Sequence, residues 1–120
     1  RLVHLHNPWD TPANALGAFE RRKLLLACLM LRNPSVILMD EPAAGMNEQE
    51  THEIAKIISE IRDQLDITVM VVEHDMNLVM SISDRIGVLD SGKIITIGLP
   101  DEVKAHPKVL EAYLGEGFDA

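Results

Sequence analysis

Two short apolar runs, each ending abruptly in charge, set the pattern of this chain. Val36-Ile37-Leu38-Met39 runs into Asp40, Glu41 and Pro42, and Thr68-Val69-Met70-Val71-Val72 runs into Glu73, His74 and Asp75. Consecutive apolar positions of this length predict buried strands, covered on both faces as in a parallel sheet. Between them Ile54, Ile57, Ile58, Ile61 and Leu65 recur at three- and four-residue spacing. That period predicts a helix with one inward stripe, leaving Lys56, Glu60 and Arg62 to face water. Asn47 is placed to cap this helix near Glu48, and Glu48 and Glu50 suit the positive end of its dipole. Strand, crossover helix and strand require parallel pairing, which brings the charged ends of both strands to one sheet edge.

The flanking segments extend the pattern. Asn7 to Pro12 is turn chemistry, with Thr11 a candidate N-cap and Pro12 at the first helical position. A helix is expected from Ala13 to about Leu31, entering the core through the apolar run Leu24 to Leu31 and carrying Cys28 on a buried face. Asn33-Pro34 stops it, because the residue before proline is pushed away from helical geometry. After the second strand, Met76 to Ser83 predicts a short helix. Arg85 to Leu89 and Lys93 to Ile97 flank Asp90-Ser91-Gly92 as a hairpin. Asp101 to Ala105 and Lys108 to Leu114 predict two short helices, each preceded by a proline.

Composition narrows the function classes. A chain of 120 residues, 47% hydrophobic, can bury one real core but hardly two. Eleven Lys and Arg against 19 Asp and Glu, a formal net charge of -8, argue against a nucleic-acid surface or an anionic-membrane patch. Cys28 has no second cysteine to pair with, and no run reaches the ~18 apolar residues of a membrane span. The chain reads as cytosolic. The start, Arg1 to His6, has neither an initiator methionine nor the pattern of a signal peptide, which suggests that residue 1 is not the natural beginning.

Candidate chemistry gathers at the strand ends, where open α/β sheets place their ligands. Asp40 and Glu41 point to opposite sides if strand geometry continues past Met39, so the two carboxylates have different work to do. One can help hold a hydrated Mg²⁺ while the other faces a water that attacks a phosphate. His74 arrives at the same edge from the second strand, and its imidazole can donate to a phosphate oxygen. His4 and His6 lack the neighbouring acidic or thiol groups that would complete a metal site. Gly87, Gly92 and Lys93 match the spacing of a phosphate-binding loop, but Ile94 replaces the hydroxyl residue and a β pattern follows where a helix is required.

These segments resemble the ATP-binding subunits of ABC transporters. Val36 to Met39 with Asp40-Glu41-Pro42 looks like the Walker B motif, Ala43-Ala44-Gly45-Met46-Asn47 like the D-loop, and Val72-Glu73-His74-Asp75 like the switch-histidine segment. The tail His106-Pro107-Lys108-Val109-Leu110-Glu111-Ala112-Tyr113-Leu114-Gly115 is most similar to the branched-chain amino-acid importer subgroup. The resemblance implies an α/β fold, a partial P-loop NTPase domain with a parallel sheet core, crossover helices and a C-terminal β-hairpin. Within it, 12–34 would be the signature-helix region, 35–100 the Walker B to switch-histidine core and hairpin, and 101–120 the C-terminal helices. It further implies Asp40 for Mg²⁺, Glu41 to polarise the attacking water, and His74 for the γ-phosphate of ATP. The implied partners are a second nucleotide-binding domain and transmembrane permease subunits, at the cytoplasmic face of the cell membrane.

The sequence departs from the family in two respects. The Walker A loop, the adenine-stacking strand and the Q-loop would precede residue 1, so this chain looks like the C-terminal half of the domain, inactive and unable to bind ATP tightly alone. A strand edge left bare by that division predicts self-association. Where the family has L-S-x-G-Q, this chain has Leu16-Gly17-Ala18-Phe19-Glu20. Gly17 lacks the hydroxyl that would reach a partner's γ-phosphate, and Phe19 puts a ring where glycine lets backbone approach. An alternative is therefore a non-catalytic interaction module that kept the fold and lost the signature. An ABC-type DNA-repair or chromosome ATPase would share the motifs, but predicts a basic surface or a coiled-coil insertion, and neither is present.

Overall fold

The computed structural model describes residues 2–114 and divides into two units, one ending at His74 and the other beginning at Asp75. The first unit holds α1 (Ala18–Leu31), β1 (Val36–Asp40), α2 (Glu48–Leu65) and β2 (Thr68–Val72). β1 and β2 pair in parallel from Val36 with Thr68 to Asp40 with Val72, as the strand, helix, strand order demands. The expected cap is present in full. Asn47 Oδ1 accepts the Glu50 amide at 2.9 Å, and the Glu50 carboxylate accepts the Asn47 amide at 3.0 Å. Ile54, Ile57, Ile58 and Ile61 are all buried, each contributing about 1.5–3 kcal/mol of transfer free energy. Leu65, expected on the same stripe, is 45% exposed at the last turn, and Glu60 and Arg62 are half-buried beside Lys56, which is exposed.

Other expectations about this unit change as well. β1 is covered on one face only: Ile37 and Met39 are buried, whereas Val36 and Leu38 are 52% and 73% exposed. The first helix begins at Ala18 rather than Ala13. Pro12 instead opens a single 3-10 turn, Ala13–Ala15, after which Leu16 returns to extended backbone. Thr11 therefore does not cap α1; Gly17 occupies that position, and its amide donates to Glu20 Oε2 at 2.8 Å. Nor does α1 enter a core as it proceeds. Its apolar residues ring the helix instead of forming a stripe, so Leu26 is buried while Leu25, Leu31 and Cys28 are exposed. The helix does end at Leu31, with Asn33 in left-handed backbone at φ 51° before Pro34.

The second unit holds α3 (Met76–Ile82), β3 (Ile86–Asp90), β4 (Lys93–Gly98), α4 (Pro100–Lys104) and α5 (Pro107–Val109), which continues as a wider π-type turn over Leu110–Leu114. β3 and β4 form the expected antiparallel hairpin. Ser91 and Gly92 both have positive φ, at 49° and 76°, as a two-residue hairpin turn requires. The hairpin also carries a bulge after Val88. It leaves Ile95 without a cross-strand partner and packs it against a cluster of Ile86, Val88, Val103 and Val109. Lys93 thus opens a strand and not a helix, which removes the phosphate-loop spacing as a binding site. Among the described residues, no helix is long and apolar enough to cross a membrane. Gly115 of the tail segment and residues 116–120 of the 101–120 region lie outside the described residues.

Candidate functional site

The chemistry lies where the two parallel strands stop. Asp40 is the last residue of β1, exposed, and paired in register with Val72. One residue on, the Glu41 amide still donates to the Val72 carbonyl at 2.8 Å, but its φ is 46°. Strand geometry therefore does not continue through Glu41, and a left-handed turn separates the two carboxylates in place of simple alternation. For a residue with a Cβ this conformation costs about 1–2 kcal/mol. Such strain survives only where surrounding contacts over-determine the backbone.

The contacts are present. The Glu41 carbonyl accepts the Ala44 amide at 3.0 Å and Arg22 Nη1 at 3.2 Å, and Arg22 Nη1 also donates to the Pro42 carbonyl. The Ala43 amide donates to Glu73 Oε1 at 2.9 Å. Pro42 and Ala43 are buried, so their backbone groups need these partners. Gly45 follows at φ 74°, with open space where a Cβ would stand, so its role is backbone freedom and not a close approach. Ala44 and Asn47 are exposed and Met46 is half-buried as the connection enters α2.

From β2, His74 reaches the same edge. Its Nδ1 lies 3.1 Å from Glu41 Oε1, with both side chains open to solvent. The expected juxtaposition of Glu41 and His74 is thus realised as a direct contact. Asp40 instead shares with Glu41 the lining of an open groove of about 610 Å³, whose other wall includes Arg22, Leu25 and Leu29 of α1. A solvent-facing carboxylate beside such a groove fits a hydrated Mg²⁺ that takes one protein ligand and completes its shell with water and phosphate oxygens. Among the described residues, no group of three or more acidic, histidine or cysteine side chains forms a metal cage.

Leu16 to Glu20 lies at the start of α1. Leu16 is buried, Gly17 and Ala18 are exposed, and Phe19 carries the Lys23 ammonium 4.7 Å from its ring centre. The Glu20 carboxylate, turned back onto the Gly17 amide and bonded by Asn7 Nδ2 at 3.1 Å, has its pKa lowered, chiefly by the Gly17 bond and then by Asn7. Arg22 and Glu73 were visible in the sequence as charges, but their grip on residues 41–43 was not, since it spans 19 to 30 residues of chain.

Comparison with known proteins reaches the same fold. An ATP-binding cassette solved in its ADP conformation, MJ1267, superimposes with a TM-score of 0.81 and 29% identity over 96% of this chain and 46% of its own. The chain has the fold of an ABC-type nucleotide-binding domain. Residues 93–119 match the family described as branched-chain amino acid ATP-binding cassette transporter. The high-affinity branched-chain amino acid transport ATP-binding protein LivG of Salmonella typhimurium is 43% identical over 104 residues, covering 87% of this chain and 41% of LivG. Its counterpart BraF of Pseudomonas aeruginosa is 41% identical over 114 residues, covering 95% of this chain and 45% of BraF. The chain therefore spans less than half the length of the curated relatives it matches, and its similarity is to the branched-chain amino-acid subgroup.

Proposed function

We propose that this chain is the catalytic part of an ATP-hydrolysing ABC transporter subunit that drives import of branched-chain amino acids. The carrying observation is the 3.1 Å contact between Glu41 and His74 at the carboxyl ends of neighbouring parallel strands. Bound ATP supplies the phosphoanhydride to be cleaved. Asp40 would hold Mg²⁺ at the groove, where the ion would neutralise phosphate charge; Glu41 orients and polarises the attacking water, and His74 donates a hydrogen bond to the terminal phosphate. Phosphoryl transfer depends chiefly on positioning and charge stabilisation, so a carboxylate and an imidazole brought together at the strand ends suit it. The subunit works at the cytoplasmic membrane face with permease subunits and a second nucleotide-binding domain.

Within the subunit that carries this chain, Glu41→Gln should lower Mg-ATP turnover by about 10²-fold or more while sparing ATP binding. Equal loss of binding and turnover would make Glu41 structural and overturn the reading.

One observation favours the alternative of a non-catalytic interaction module. Glu20 places a carboxylate on the Gly17 amide, at the helix end where the family would receive a partner's phosphate. On that reading Glu41→Gln changes neither binding nor turnover, because no turnover is present.

A further inference from the structure

We propose that Arg22 and Glu73 are positioning residues for Glu41, forming a two-sided clamp that sets the Glu41–His74 contact. The proposal rests on the hydrolytic reading of Glu41. Residues 41–43 make a turn that a glutamate does not adopt by preference, and two charged side chains from separate elements grip it. From α1, Arg22 bonds the carbonyls of Glu41 and Pro42. From the end of β2, Glu73 bonds the Ala43 amide. Pro42 and Ala43 are buried, so removing either side chain leaves a backbone group there without its partner.

The sequence position of Glu73 gives its contact a second effect. It directly precedes His74, so its hold on Ala43 ties the histidine's backbone to the far side of the Glu41 turn. The carboxylate and imidazole are then fixed relative to one another through main chain, although both tips are solvent-exposed. Arg22 in turn links the turn to α1, two residues beyond Glu20. A shift of that helix would thereby reach the carboxylate that orients the water.

The test is made by NMR on the isotope-labelled subunit that carries this chain. The readouts are the Glu41 amide to Hα coupling, which reports φ, and the nuclear Overhauser effect between the Glu41 side chain and the His74 ring. Arg22→Ala and Glu73→Ala should each lose the Glu41–His74 effect and shift the coupling, while amide protection at Ile37 and Val69 persists. Glu73→Gln, which keeps an acceptor oxygen, should retain both signals, and Arg22→Lys should retain them in part. Should Arg22→Ala fail to fold, Arg22→Lys and Glu73→Ala carry the same readouts. Unchanged coupling and contact in the folded variants would overturn the clamp and leave the hydrolytic reading standing. Lost contact in these variants, with turnover insensitive to Glu41→Gln, would keep the clamp and defeat the hydrolytic reading.

Discussion

The Lys23 ammonium of α1 lies 3.3 Å from the Glu53 carboxylate of α2, with the lysine buried and the glutamate 44% exposed on its side chain. The same ammonium donates to the His4 carbonyl at 3.1 Å and sits over Phe19. Taking a charge out of water is repaid only while its partners remain, so the two halves of this pair are not equivalent. Lys23→Met should change stability by no more than about 1 kcal/mol, because a similar volume stays packed. Glu53→Ala should cost about 1–3 kcal/mol by leaving the ammonium short of an acceptor. Urea denaturation checks both, and a larger loss for Lys23→Met than for Glu53→Ala would contradict the argument.

Acid should loosen the start of α1. The Glu20 carboxyl is held below its usual 4.5, chiefly by the Gly17 amide. A lowered folded pKa means that this contribution is complete above the usual value and is lost as pH falls through the lowered one. The Gly17 amide resonance should therefore move in acid below the usual glutamate range, and Glu20→Gln should abolish that movement. A Gly17 signal insensitive to acid in the wild-type chain would refute the cap.

The 120-residue chain by itself should show no Mg-ATP turnover. Its phosphate-loop spacing lies in the β3–β4 hairpin, and a water-orienting carboxylate without a positioned phosphate has nothing to act on. A steady-state phosphate-release assay decides it. Turnover abolished by Glu41→Gln in the isolated chain would show this expectation to be wrong.

The isolated chain should also associate with itself. Among the described residues β1 pairs only with β2, and Val36, Leu38, Met70 and Val72 are all more than half exposed on these strands. An apolar strand with unpaired backbone groups along one edge is a template for pairing, and no charge lies along β1 before Asp40. Light scattering at micromolar concentration should find species larger than a monomer. A persistent monomer with slow amide exchange at Ile37 and Leu38 would mean that the edge is already satisfied.

Local signals carried the fold well where structure is local. The isoleucine stripe, the Asn47 cap, the parallel pairing and the hairpin were all legible, since each follows from spacing or turn chemistry. Burial was less so. Leu38, Leu25 and Cys28 read as interior residues, yet whether an apolar side chain is covered depends on a neighbour that spacing cannot supply. Pro12 misplaced the helix start because its fixed φ also suits the residue that caps a 3-10 turn, the place it takes before Ala13. Asp40, Glu41 and His74 stand out as candidates because each is a charged or imidazole side chain where an apolar strand ends. Arg22 and Glu73 could not be assigned their contacts, which join positions far apart in the chain.

On the hydrolytic reading of Glu41, the left-handed backbone at position 41 sets heat resistance against chemistry. Glycine or asparagine would fit φ 46° with less strain than glutamate. A lineage selected for thermal endurance alone would drift toward those residues and fall silent as it hardened. Retention of glutamate at this turn would then mark descendants still selected for what the side chain does, and its replacement by glycine would mark those in which only the scaffold is kept.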